Sequence, residues 1–277
     1  MKALHRSLIV TGLLALGVVV FLQPAACQQF ERWFGPPEVT AQEQYTDEPA
    51  QERTVDHSIL DRVLKAHVRD GGVDYKALHA NREDLDQYVE LLGGVDFDAV
   101  GRNEKLALLI NAYNAFTLKL IIDNWPVKSI KDILDGEPWD AKLWKIGDLS
   151  LSLNDIEHEY IRKRFKEPRI HFAVNCASIS CPPLRGEAYR ADALDRQLQE
   201  QTELVHTQPL WMKLDKNSRV VELTRLYLWY GGDFEQAKGS VLEFAAQYNE
   251  SLAELMRDGK PPTVEYLEYD WNLNIVK

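Results

Sequence analysis

Residues 103–124, NEKLALLINAYNAFTLKLIIDN, constrain the fold more than any other stretch. The spacing predicts a helix, and its apolar side chains wrap almost the whole circumference. A helix apolar on every side belongs inside a domain, so other elements must surround it. With 277 residues, 45% of them hydrophobic, the chain is long enough to build one good-sized domain around such a core. Against this background Asn111 and Asn114 stand out. They lie three apart and share a face, with Thr117 one step on. A buried amide left without partners costs roughly 1–3 kcal/mol. Either both asparagines hold loop backbone, or their polar stripe lines a pocket and positions a substrate or catalytic group.

The N-terminus reads as a targeting segment. Lys2 and Arg6 precede an apolar run over residues 7–22, and Pro24-Ala25-Ala26-Cys27 offers small residues for cleavage. Residues 1–27 are therefore expected to be a signal peptide cut after Cys27. Acylation of Cys27 and an uncleaved anchor are the alternatives. All three would place the remainder outside the cytoplasm, in a bacterium in the periplasm or cell envelope. Residues 28–56, rich in Glu, Gln, Thr and Pro, read as a flexible linker, and residues 57–277 as the globular domain. The net charge of −11 argues against nucleic acid and against an anionic membrane surface. Membrane contact is expected only through the N-terminal segment, if uncleaved or lipidated. The partner is expected to be an envelope substrate or protein.

Within the domain, residues 75–92 read as one helix. Residues 142–153 read as a hairpin turning at Gly147-Asp148. Ser152 and Asp155 form a capping box that opens a helix carrying Glu157, His158 and Arg162. Residues 192–206 are an amphipathic helix, and 219–223 a strand. Gly231-Gly232-Asp233-Phe234 reads as a turn, 241–256 as a helix broken near Asn249, and 264–270 as a last strand. The fold class is α+β: one domain, a small mostly antiparallel sheet of about five strands, and helices packed around it. No Gly-rich phosphate loop is present, and no cofactor is implied.

Candidate chemistry concentrates in residues 169–185, RIHFAVNCASISCPPLR. Residues 170–175 form a short apolar run that reads as an interior strand. Cys176 would sit at its end, before a tight loop closed by Cys181-Pro182-Pro183. Four readings stay open. Cys176 is a nucleophile with His158 or His171 as base. Cys176 and Cys181 cycle between dithiol and disulfide. Cysteines and histidines bind zinc, although C-x4-C is not a recognised zinc spacing. Or Cys176–Cys181 is a permanent structural disulfide, natural in an oxidising compartment.

The chain resembles the family known as domain of unknown function 547. The matching segments are residues 109–120 (LINAYNAFTLKL), 126–130 (PVKSI), 151–158 (LSLNDIEH), 169–184 (RIHFAVNCASISCPPL) and 269–274 (YDWNLN), within roughly residues 75–274. The family pattern includes Asn111, Asn114, Glu157, His158, Arg169, His171, Cys176, Ser178, Cys181 and the Asp270-Trp271 pair, all kept here. The resemblance implies a shared site drawn from two helices and the cysteine segment. Fusions of some members to glutaredoxin-like domains imply thiol chemistry. The leading expectation is a cysteine-dependent hydrolase or acyltransferase. Cys176 would attack, and His158 or His171 would act as base, oriented by Glu157 or by an asparagine from the central helix. Asn111, Asn114, Ser178 and Arg169 would bind substrate or an oxyanion. A thiol–disulfide redox protein and a non-enzymatic module with a structural disulfide are the alternatives.

Overall fold

In the computed structural model, residues 35–45 and 53–276 are described; the expected signal segment, Cys27 and part of residues 28–56 lie outside them. From Pro36 onward the chain forms one unit. At its centre is the long helix Arg102–Asp123, with Leu106 through Leu118 buried without interruption. It surrounds itself with helices Ser58–His67 (α1), Tyr75–Ala80 (α2) and Glu83–Leu92 (α3), and is itself α4. The stretch 75–92, expected as one helix, breaks because the Asn81 carboxamide donates to the Ala77 carbonyl at 2.9 Å. A side chain that competes for helix carbonyls in this way ends the helix locally.

The fold is α+β, but its strands do not assemble into one five-stranded sheet. Val68–Arg69 (β1) and Gly72–Val73 (β2) form a small hairpin. Trp144–Ile146 (β3) and Leu149–Leu151 (β4) form the expected second hairpin, with Trp144 opposite Leu151. Met212–Asp215 (β5), Val220–Leu223 (β6) and Thr263–Tyr266 (β7) form a mixed sheet, in which β6 pairs antiparallel with β5 and parallel with β7. The last strand therefore ends at Tyr266, and residues beyond it leave the sheet.

The Ser152 capping box is present in both directions, at 2.8 and 3.0 Å, and opens a helix of wide π turns over Asp155–Arg162 (α5). Leu194–Thr207 (α6), Leu226–Trp229 (α7), Gly231–Lys238 (α8), Val241–Ala246 (α9) and Glu250–Met256 (α10) follow. Asn249 caps α10, which explains the break expected there. The expected turn at Gly231 is instead the start of α8. Its Asp233 is locked by Arg162 and His171, so tertiary contacts override the weak helix propensity of two glycines.

Residues 36–45, read from the sequence as linker, lie along the domain. The N–H groups of Gln42 and Gln44 donate to the carbonyls of Lys163 and Arg164, at 2.9 and 3.0 Å. Those carbonyls follow the end of α5, where a helix has no further N–H donors of its own to satisfy them. Glu43 pairs with Arg102, and Tyr45 packs on Phe165.

The apolar interior has two parts. One surrounds α4, and the other gathers Phe172, Trp211, Leu223, Tyr227, Phe234 and Phe244. The C-terminal segment returns to the first. Val73 exchanges backbone bonds with Asn274 and Val276, and the Tyr75 hydroxyl donates to Asn274 Oδ1 at 2.7 Å. The β1–β2 tip meets the cysteine loop at Gly71, where φ is +80° and an added Cβ would lie 2.2 Å from Pro183 Cβ. Gly71→Ala is expected to cost about 1–3 kcal/mol in backbone strain alone, with further loss from that overlap. Urea denaturation should show a lower midpoint at unchanged slope.

Candidate functional site

The cysteine segment is not a strand. Pro168–Phe172 is a 3-10 turn, with Pro168 at its start and the Glu167 side chain accepting from the Arg169 N–H. A short apolar run is compatible with a buried strand or a buried turn, and periodicity does not separate them. Here the deciding group is Asn114. Its Nδ2 donates to the Ala173 carbonyl at 3.0 Å, and its Oδ1 accepts from the Asn175 N–H at 2.8 Å. One carboxamide thus supplies the donor and acceptor that a neighbouring strand would have supplied. Asn111 does the same for Tyr189, at 2.8 and 2.9 Å. Both side chains are therefore engaged with backbone and position loops.

The loop after Asn175 is built on that anchor. Asn175 accepts from the Ala177 N–H at 2.9 Å and donates to the Pro182 carbonyl at 2.8 Å, which closes residues 175–182. Ala177 adopts φ +62° inside this closure. The Trp211 indole donates to the Ser180 and Cys181 carbonyls, each at 3.1 Å. The C-terminal segment runs antiparallel to the loop. Ile179 N–H donates to the Asn272 carbonyl at 2.8 Å, and Asn274 N–H to the Ala177 carbonyl at 3.1 Å.

This frame holds two free thiols, Cys176 partly exposed and Cys181 only 4% exposed. The Cys176 N–H donates to Cys181 Sγ at 3.1 Å. Cys176 Sγ lies 3.2 Å from Ser178 Oγ and 3.2 Å from the Tyr269 hydroxyl, and Ser178 donates to Tyr269 at 3.1 Å. The two thiols are driven apart in acidity. A hydrogen bond from Cys181 pulls the Cys176 thiol down, burial opposes it, and the Ser178 and Tyr269 hydroxyls add to the lowering. Burial pushes the Cys181 thiol well up, and its proximity to Cys176 adds to the rise.

The histidines belong to a second cluster. His171 Nε2 lies 2.8 Å from Asp233 Oδ2, and its ring stacks on Tyr230 with centroids 3.9 Å apart. Arg162 forks onto Asp233 at 2.7 and 2.9 Å and donates to the Pro37 carbonyl at 2.9 Å. It also donates to His158 Nδ1 at 3.2 Å. Burial lowers the His158 imidazole, and Arg162 adds to this. Burial alone would raise the Asp233 carboxyl, but hydrogen bonds from His171 and Arg162 hold it well below the usual carboxylate range. Glu157 Oε1 and His171 Nδ1 face each other at 3.9 Å, and among the described residues neither has a hydrogen-bond partner. Between the clusters lies Tyr113. Burial, then the charges of Glu157, Cys176 and Cys181, hold its phenol well above the usual range.

The structure thus brings Cys176, Ser178 and Cys181 together, and separately Glu157, His158 and His171. The described hydrogen bonds of both histidines go to the second cluster and not to Cys176. Arg169 forks onto Glu167 at 2.7 and 2.6 Å and also pairs with Asp195. It lines a cleft of about 600 Å³ with Arg162, Lys166 and Asp233, into which neither cysteine opens. Tyr269, Asn175, Asp233 and Trp211 carry the two clusters but were absent from the sequence-based site. Asn175, a carboxamide closing an apolar run beside Cys176, is the available signal; Asp233 is hidden by its turn-like glycines. Among the described residues, no group of three or more His, Cys, Asp or Glu side chains is arranged to hold a metal ion.

The class is an α+β domain in which a buried helix clamps a loop carrying an asymmetric thiol pair. Residues 97–204 match the family described as "Protein of unknown function, DUF547", the family whose motifs the sequence carries. The matched stretch holds α4, both cysteines and the Glu157–His171 pair, whereas Asp233 and Tyr269 lie beyond it. No curated protein and no solved structure matches the chain.

Asp233→Asn would leave the buried Arg162 charge, its side chain 2% exposed, without its counter-ion. The expected loss is about 3–5 kcal/mol at neutral pH. Because the folded carboxyl is depressed, its contribution is full above the unfolded carboxylate value and fades as pH falls through the folded one. The gap between wild type and variant in denaturant titrations should therefore persist at neutral pH and narrow only below about pH 4.

Proposed function

We propose that this domain performs thiol–disulfide exchange, with Cys176 as attacking thiol and Cys181 as its resolving partner. The observation that carries the reading is the asymmetry of the pair: one sulfur partly exposed with its acidity raised, the other buried with its acidity suppressed. A thiolate is the attacking species, and a resolving thiol should stay protonated until it is needed. In the forward direction the Cys176 thiolate attacks one sulfur of a substrate disulfide. A Cys176–substrate mixed disulfide forms, and the other substrate sulfur leaves as a thiolate that takes a proton. Cys181 then loses its proton and attacks Cys176 Sγ, which releases the second substrate thiol. The substrate disulfide is reduced and the cysteine pair oxidised, and a dithiol donor restores the pair by the reverse steps.

Acyl transfer at Cys176 would need a base beside the sulfur and donors for an oxyanion. The bonds made by His158, His171, Asn111 and Asn114 leave that reading less supported. An extracytoplasmic address, as the N-terminal segment suggests, would place the pair among disulfide-bearing proteins.

The test equilibrates the full chain in dithiothreitol and glutathione buffers of graded potential, then traps thiols by alkylation and reads masses. The expected result is one two-electron step yielding a Cys176–Cys181 disulfide that dithiols reduce again. A pair that stays reduced in oxidising glutathione, or a disulfide that resists a strong dithiol, overturns the reading. In reduced protein Cys176 should alkylate faster than Cys181 near neutral pH. Tyr269→Phe removes a hydrogen bond to the thiolate, so the Cys176 thiol should titrate higher. Alkylation should slow by about three- to tenfold at neutral pH and recover at a pH above the ordinary thiol range.

A further inference from the structure

A row of aromatic rings leads away from Cys176, and beyond the Tyr269 hydroxyl the thiol chemistry makes no use of it. Tyr269, whose hydroxyl touches Cys176 Sγ, packs on Trp229 and Trp271 with centroids 4.8 and 4.6 Å apart. Trp271 stacks on Trp229 at 5.9 Å and meets Trp139 edge-on at 5.8 Å. Trp139 and Trp271 rest on the core around α4, and Trp229 on the second core, so the row crosses the seam between them. All four residues remain partly exposed. Indole and phenol rings with one face packed and one face wet are the side chains that most often anchor ligands.

We infer that Tyr269, Trp229, Trp271 and Trp139 form the substrate shelf of Cys176, and that it takes apolar side chains flanking a cysteine in an extended polypeptide segment. The inference rests on Cys176 being the attacking thiol, since that is what makes the shelf adjoin a reactive atom. Extent argues for a polypeptide. The steps from Tyr269 to Trp271 to Trp139 cover the length of about three residues of extended chain, more than a single disulfide needs. Charge argues the same way. The chain carries a net −11, which repels a small polyanionic disulfide, whereas ring faces reward apolar contact. Lys131 lies over the Trp271 ring, its ammonium 4.1 Å from the ring centre. This cation–π contact holds the ring in place without supplying an anion site.

The test measures binding of two fluorescein-labelled peptides of equal length to the full chain by anisotropy. Each carries serine where the cysteine would be, so no exchange can occur. One has phenylalanine and leucine on both sides of the serine, the other glycine and glutamine. The apolar peptide should bind about tenfold more tightly, and Trp271→Ala should abolish most of that preference. Trp139→Ala, at the outer end, should reduce it and serves as the second variant should Trp271→Ala not fold. Equal affinity for the two peptides, or a preference unchanged in the folded variants, overturns the inference. So does binding of a fluorescein-labelled gluco-oligosaccharide where neither peptide binds. Because no thiol chemistry takes part, the outcome is independent of the redox titration: a reversible Cys176–Cys181 couple with no peptide preference would sink the shelf alone.

Discussion

The site depends on the pair of bonds between the Asn114 carboxamide and the backbone of Ala173 and Asn175. A loop carrying two cysteines has backbone groups that must be satisfied once it is buried. A strand would meet that need along its length, but only by committing the segment to a sheet. A carboxamide on a rigid helix meets it at one point and leaves the chain free to turn immediately afterwards. The turn at Asn175 and the left-handed Ala177 follow, and with them the approach of the Cys176 N–H to the Cys181 sulfur. Replacing Asn114 by an apolar residue would leave two buried backbone groups unmet, each costing roughly 1–3 kcal/mol. The demand for an all-apolar helix with two amides on one face is thus a demand for a loop held at a fixed height.

The same economy explains why the thiols differ. Both sulfurs are close, yet Cys176 has two hydroxyls within 3.2 Å of its sulfur, from Ser178 within the loop and Tyr269 from the C-terminal segment. Hydrogen bonds to the charged form favour ionisation, and burial without them opposes it. At Cys181 burial outweighs the bond from the Cys176 N–H, and a weak contact with the Val174 carbonyl, an acceptor, favours the protonated thiol. Tyr269 has a second consequence, because its ring begins the aromatic row while its hydroxyl meets the sulfur. One residue therefore couples thiol acidity to the surface that a substrate would cross.

Much of this was legible in the amino-acid order, and what was not has physical causes. The burial of α4 could be read because apolarity on all sides has one outcome. The β3–β4 hairpin and the Ser152 capping box could be read because turn and cap chemistry is local. The choice for Asn111 and Asn114 was visible only as a pair of alternatives, since their partners are 78 and about 60 residues away and separation in sequence carries no signal. The strand expected at residues 170–175 failed for the same reason: Asn114 replaced the neighbour that would have made it a strand. His158 and His171 lay near Cys176 in sequence and drew the expectation of a catalytic base. Their geometry is set by Arg162 and by Asp233, the latter 62 residues beyond His171.

That displacement gives the buried histidines another part to play. Arg162, Asp233 and His171 join α5, α8 and the 3-10 turn that leads into the cysteine loop. Arg162 also reaches the Pro37 carbonyl, so the N-terminal strap closes on the same point. A buried charge pair contributes little net stability when compared with apolar packing, but it is costly to misplace. Set at the root of the cysteine segment, it penalises any arrangement in which α8 or the strap leaves the turn. Asn114 fixes the loop from the helix side and Asp233 fixes its entrance from the other. The thiol pair can then keep its unequal environments, because neither end of the segment that carries it is free to drift.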